Sequence, residues 1–435
     1  GADTCTVNVT SENNIALGAK VSAGHYITEL TGGGGTEVVN LTNNNCMSED
    51  DTADDFGGTG NLINQTRTDV WTDPDNDQFF LKDGSAAYNV GKDLSAFYTT
   101  DMLGRPYATT PKTLAARNFD MGALAQYPNI STIKPGGGGD YTVMQVWDDD
   151  KDGSPDAFEW AECYTDPGGG YLTNLRILPW TSTPDSSNYA RIYAPTAERH
   201  GGDRTAGAYF WPDGGFRNAC IAIEGLNYLQ IDGIRFDVPA SGSIPAGIRN
   251  SGTATNVLIE NCLFDGEGVD GQMGIIMYGP AAATITDWVI RNNLILDCDF
   301  GIWFTSGDAG TTITADCFNN TVDATGGFAG SICYMVQQSA GSIVVTLENN
   351  IGMGATNDYI NPGLAATITA NNNLSSDDTA DNFGGSGHVI NAVYADVFND
   401  PDNDDFSLKN GSPALDAGKD LSHLFTTDIL GNSRV

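Results

Sequence analysis

The sequence predicts an all-β chain, a solenoid of stacked parallel strands present once nearly whole and once in part. Three observations predict it. Short apolar segments closed by Gly or Asn turns recur every 23–31 residues. The 435 residues include 53 Gly, and the turns leave no room for long helices. Residues 52–106 align without a gap to residues 379–433 at a constant offset of 327, with 32 of 55 positions identical.

The short period runs through QIDGIRF (Gln230–Phe236), IENCLF (Ile259–Phe264), IRNNLIL (Ile290–Leu296), CFNNTV (Cys317–Val322), LENNIGM (Leu347–Met353) and TANNNLS (Thr369–Ser375). Aligned before the apolar residue, these give Gly233, Cys262, Asn293, Asn320, Asn350 and Asn373, and Asn14 and Cys46 continue the pattern in the first copy. A second register follows in AGIRN, GIIMYG, GIWFTSG and SICYMV. One coil cannot bury its inner face alone, whereas stacking parallel strands about 4.8 Å apart does so. The turn Asn is expected to adopt the left-handed conformation and to stack its amide on the Asn of the next coil. Strands are expected at Leu229–Phe236, Val257–Phe264, Trp288–Leu296 and Val344–Ile351. A β-sandwich would need only turns every ~8–12 residues and no ladder.

The long repeat divides the chain. DPDND occurs at Asp73–Asp77 and Asp400–Asp404, KDGSAAYNVGKDLS answers KNGSPALDAGKDLS, and TTDMLG answers TTDILG. Upstream, TVNVTSENNI (Thr6–Ile15) matches SIVVTLENNI (Ser342–Ile351) at an offset of 336, which places 9 extra residues near Gly32–Gly35. Residues 1–128 are expected to be a partial first copy and 129–182 the cap and opening segment of the second. Residues 183–375 are expected to be its coils, and 376–435 a post-helix tail repeating 49–108. The chain is out of phase with its own repeat, which suggests an array.

A net charge of −36 excludes the basic stripe that nucleic-acid binding needs, and it opposes docking on anionic lipid. No apolar run reaches the ~18 residues of a membrane span. The eight Cys fit either disulfides or buried thiols, and no pair has zinc-ligand spacing. Sequons at Asn8, Asn40, Asn64, Asn129, Asn319, Asn373 and Asn410 permit glycans.

The sharpest motif is the acidic run from Asp148 to Glu159. Asp148, Asp150, Asp152 and Asp156, Gly153 at the sixth position and Glu159 at the twelfth reproduce a Ca²⁺-binding EF-hand loop, although Pro155 takes the usual apolar eighth position. Hydrolysis of a glycoside needs two facing carboxylates; Glu260, Asp297, Asp299 and Asp316 lie on or beside successive coils, and Arg235, Arg249 and Arg291 near coil positions. Nothing in the sequence nominates a catalytic pair, and the four His are scattered.

These coils, with DYTVMQVWDDD (Asp140–Asp150), RIYAPTAERH (Arg191–His200), SLKNGSPALDAG (Ser407–Gly418) and NFDMGALAQY (Asn118–Tyr127), resemble the right-handed parallel β-helix proteins of the pectin-lyase-like superfamily, in particular those of environmental bacteria and their viruses. The resemblance implies a right-handed β-helix with a short amphipathic cap helix over Tyr141–Trp147. It does not fix a function, because many activities share this scaffold. The expectation is an extracellular, cell-surface or virion structural protein that forms a homo-oligomer or homopolymer head to tail. A tailspike-like depolymerase and a non-catalytic carbohydrate-binding protein are the alternatives. Opposed carboxylates in a long groove, or a groove plugged by Trp303 and Tyr334, would separate them.

Overall fold

The structure, a computed structural model, describes residues 5–12, 15–16, 37–44, 46–48, 59–73 and 78–81, and residues 129–434 except 154–158, 167–170, 186–188, 212–218, 240–243, 267, 269, 327–328 and 364–365. The chain forms two compact units, Gly1–Pro128 and Asn129–Val435.

In the second unit each coil from Ala190–Tyr193 to Asn357–Ile360 contributes a strand to each of three sheets. Val257–Glu260, Leu263–Asp265 and Met273–Gly279 make one coil, and Thr284–Arg291 opens the next by pairing with the first of these. Among the described residues the first sheet has ten strands and runs from Asn129–Ile133 to Thr367–Asn371. The second has seven, from Tyr209–Phe210 to Leu374–Ser375, and the third has seven, from Leu175–Ile177 to Asn357–Ile360. Neighbouring strands are parallel throughout, as in Leu229–Asp232 against Val257–Glu260. The chain is therefore an all-β parallel β-helix, right-handed as parallel crossovers are. Segment 129–182 already carries strands of the first and third sheets, so the coils begin before residue 183.

The four expected strands do stack in parallel, but each is two strands meeting at a corner. Leu229–Asp232 ends at Gly233 and Arg235–Asp237 begins two residues later. The cause is a single left-handed residue: Gly233 (φ 74), Asn261 (54), Asn292 (53), Asn319 (54), Asn349 (58) and Asn372 (52). Left-handed backbone costs little for Gly or Asn, so these residues accept the bend. The bending Asn and the stacking Asn, expected to be one residue, are therefore two neighbours. The first turns the chain and the second points inward. Gly233 belongs to the bending column with Asn261, and Ile234 is the residue aligned with Cys262.

The inward amides form a ladder. Asn293 Nδ2 donates to Asn320 Oδ1 at 3.0 Å, Asn320 Nδ2 to Asn350 Oδ1 at 3.0 Å, and Asn350 Nδ2 to Asn373 Oδ1 at 3.2 Å. Each amide also donates to a backbone carbonyl, so these buried polar groups are satisfied. Around them the core stacks like on like. Phe236 lies on Phe264 at 4.7 Å between ring centroids, and Tyr334 on Tyr359 at 4.7 Å. Burying each such side chain contributes about 1.5–3 kcal/mol. Tyr334 fills the core, not a groove, with its hydroxyl donating to the carbonyl of Asn320 at 3.0 Å. Trp303 lies in a separate cluster, stacked on Phe300 at 5.1 Å.

The cap helix spans Met144–Lys151 and buries Met144 and Trp147. Trp147 packs edge-on against Trp180. The Gln145 amide grips the backbone of Arg176, accepting its N–H at 2.9 Å and donating to its C=O at 3.2 Å. Leu175–Ile177 is the outermost strand of the third sheet, so this contact blunts an open edge.

The tail lies over the outer face of the second sheet. Leu263, Leu294 and Leu296 are buried against Phe406 and Ile429, and Met353 and Leu374 against Val397 and Phe398. The first unit repeats this design. Its antiparallel pair Trp71–Asp73 and Gln78–Leu81 carries the same register and irregularity as Phe398–Asp400 and Asp405–Leu408. Its parallel bridge Met47–Leu62 matches Leu374–Val389. Cys163, Cys220, Cys262, Cys298, Cys317 and Cys333 are buried thiols, and burial pushes each well above its ordinary pKa.

Candidate functional site

The corners do two jobs. While the second Asn of each pair holds the coils, the amide of the first points outward and holds the tail. Asn292 Nδ2 donates to Thr427 O at 3.0 Å and Asn372 Nδ2 to Ala417 O at 2.8 Å. Asn349 donates to Lys419 O at 2.8 Å and accepts Lys419 N–H at 2.7 Å. Ion pairs add to the strap: Arg204 meets Asp265, Asp297 and Asp404, and Lys419 meets Glu348. The Tyr394 hydroxyl donates to Asp323 at 2.6 Å. None of these tail contacts was foreseen; the doubled Asn was the signal available.

The four candidate acids are not brought together. Glu260 pairs with Arg291 at 2.7 Å and Asp297 with Arg204. Asp299 is buried, accepts Gly271 N–H at 3.1 Å, and is raised in pKa first by desolvation. Asp316 sits on the first sheet between Val289 and Thr346. Of the three arginines, Arg291 is engaged by Glu260, Arg235 grips Asp237 and lies 4.1 Å above the Tyr209 ring, and Arg249 lies over Tyr278.

In the acidic run, Asp148 and Asp150 lie in the last turns of the cap helix, two residues apart and so on different sides of it. Asp148 is buried and accepts Trp180 Nε1–H at 2.8 Å, and burial pushes its carboxyl up to about 7. Asp150 accepts the Tyr141 hydroxyl, Asp152 accepts Thr181 N–H, and Glu159 accepts Asn129 Nδ2–H at 3.0 Å and faces Lys151 at 3.5 Å. Asp156 lies outside the described residues. Among the described residues no three His, Cys, Asp or Glu side chains are grouped so that they could hold a metal ion.

One aromatic cluster stays open. Tyr171, 36% exposed, and Trp211, 39% exposed, stand 6.3 Å apart, with Tyr209 6.3 Å from Tyr171 and lying beneath Arg235. Of the sequons, Asn373 is buried with its amide used by the ladder, whereas Asn64 is exposed. No helix among the described residues is long and apolar enough to cross a membrane. No protein-family model matches the chain, and no curated protein and no solved structure shows significant similarity to it.

Proposed function

We propose that the protein is an extracellular, cell-surface or virion structural β-helix of the pectin-lyase-like type whose units associate head to tail into a fibre. The observation that supports this most is the state of the acids. Of the four candidate acids, Glu260 and Asp297 are tied to Arg291 and Arg204, and Glu348 is likewise tied to Lys419. A hydrolase needs one carboxyl free to donate a proton and a second facing it. Ion pairs of this kind hold a surface together instead. The duplicated unit and its strapped outer face fit a chain built for length, and at −36 association is aided by salt that screens repulsion. Sedimentation velocity across a salt series tests the reading: growth into rods supports it, and a monomer at every concentration refutes it.

A non-catalytic carbohydrate-binding role is the second reading, favoured by the open Tyr171–Tyr209–Trp211 cluster, since aromatic faces and an adjacent guanidinium suit sugar rings. Alanine at Tyr171 and Trp211 would abolish retention on a polysaccharide column if this holds. Calcium at the acidic run belongs to the proposal as a ligand that would draw Asp148 off Trp180 and unwind the end of the cap helix. A melting temperature that rises with Ca²⁺ and falls with chelator would support it, and an unchanged one would remove it.

A further inference from the structure

Glu348 and Asn371 are register partners on adjacent strands of the first sheet. Lys419 reaches them from the tail. The two oxygens of Glu348, a side chain 5% exposed, accept Lys419 Nζ at 2.8 and 2.9 Å, and one of them also accepts Asn371 Nδ2 at 3.1 Å. The Lys419 backbone is fixed by its two hydrogen bonds to Asn349, and Gly418 packs so closely on that amide that a Cβ would lie 3.2 Å from its Nδ2. A primary amine and a carboxamide thus share one buried carboxylate, in a setting that holds all three.

A half-exposed lysine paired with a carboxylate contributes little to stability. Such a pair needs neither the Asn nor the backbone clamp. Yet the first copy carries every member: Glu12, Asn13, Asn44, Gly91 and Lys92 stand where the second has Glu348, Asn349, Asn371, Gly418 and Lys419. Some neighbours outside this set have changed: Cys46 stands for the ladder residue Asn373, Asn61 for His388 and Val90 for Ala417. Glu12 and Asn44 are register partners in the first unit too.

We propose that Lys419 and Asn371 join in an intramolecular isopeptide bond, with Glu348 as the proton carrier, so that the tail is covalently locked to the last coil. The Lys419 ammonium gives a proton to the Glu348 carboxylate. The freed lone pair on Nζ attacks Cγ of Asn371, forming the C–N bond. Glu348 returns its proton to the departing Nδ2, which already faces it, and the Cγ–Nδ2 bond breaks. The tetrahedral centre collapses to a secondary amide, Nζ loses one further proton, and ammonia leaves as ammonium. The carboxylate is regenerated, and no oxidant, metal or cofactor enters the balance.

Intact mass of the purified full chain tests this. The protein should be lighter than its sequence, and Lys419→Arg, which keeps the ion pair and the fold, should recover the mass of one ammonia. Peptide mapping should find a branched peptide joining Lys419 to Asn371, absent from Glu348→Gln. A succinimide at Asn410–Gly411 would give the same loss, but it would persist in Lys419→Arg and yield no branched peptide. A wild-type chain with no branched peptide, or a deficit that Lys419→Arg leaves unchanged, would overturn the proposal.

Discussion

His388 Nδ1 accepts the backbone N–H of Asn373 at 3.2 Å, closing the inner amide ladder where Asn61 Oδ1 accepts the N–H of Cys46 at 2.9 Å in the first unit. The ring is held for this by its other nitrogen, which meets Gly384 O at 2.8 Å. The two residues occupy the same place in the repeat, 327 positions apart. Either side chain terminates the ladder, because each presents an acceptor to the last buried N–H.

His388→Asn should therefore keep stability within about 0.5 kcal/mol, while His388→Leu leaves a buried donor unmet and should cost about 1–3 kcal/mol. Urea unfolding of both variants checks this. Equal losses would mean that the acceptor is not what the position supplies.

The paired corner asparagines should respond very differently. Asn320→Ala strips a partner from Asn293, Asn350 and the Ile290 carbonyl inside the core. It should cost roughly 3–5 kcal/mol. Asn319→Gly keeps the bend, where Gly takes a positive φ readily, and gives up only an outward amide beside Arg434, so it should cost about 1 kcal/mol or less by the same denaturant assay. A reversed order would contradict the division of labour.

Two buried groups set opposite pH slopes. His200 accepts Gly202 N–H at Nδ1 and meets Asn261 O through Nε2, and burial lowers its pKa to about 4. The unfolded chain then binds the proton more readily, so this contribution is full above the ordinary value of 6.5 and is lost as pH falls toward 4. Up to roughly 3 kcal/mol is involved. Asp148 runs the other way. Its pKa rises from 3.8 to about 7, so the folded state keeps the proton longer and stability falls as pH climbs through that window. Asp148→Asn should raise the melting temperature at pH 8 and leave it nearly unchanged at pH 4. The same change at both values would refute the assignment.

Arg204→Ala removes the cation shared by Asp265, Asp297 and Asp404 and leaves three carboxylates facing one another. The Pro401–Asp405 segment should be cut faster in limited proteolysis, with the coils still melting as one unit. An unchanged cutting rate would mean that the apolar contacts of Phe406 and Ile429 hold the strap alone.

What the sequence made legible is what repeats locally. The Asn-Asn pairs mark the corners because a left-handed bend every coil leaves a fixed residue type at a fixed spacing. The stacked rows Ile248, Ile275 and Ile302 lie on the apolar segments of the second register. The break inside each strand was hidden, since one bending residue does not interrupt the apolar pattern, and Gly233 was consequently placed one position out. The strap was hidden for another reason. Its contacts join residues as far apart as Arg204 and Asp404, and no periodicity announces a pairing across 200 positions. Separation along the chain also concealed the pairing of Asp297 with Arg204, 93 positions away. Asp297 reads as an open carboxylate in sequence and is an ion-pair partner in space.

The central claim, a structural chain that grows end to end and not a depolymerase, is tested most directly by sedimentation velocity of the full chain at rising salt. Unbranched rods whose length increases with protein concentration and ionic strength are the predicted result. A single monomeric boundary at every salt and protein concentration would contradict it.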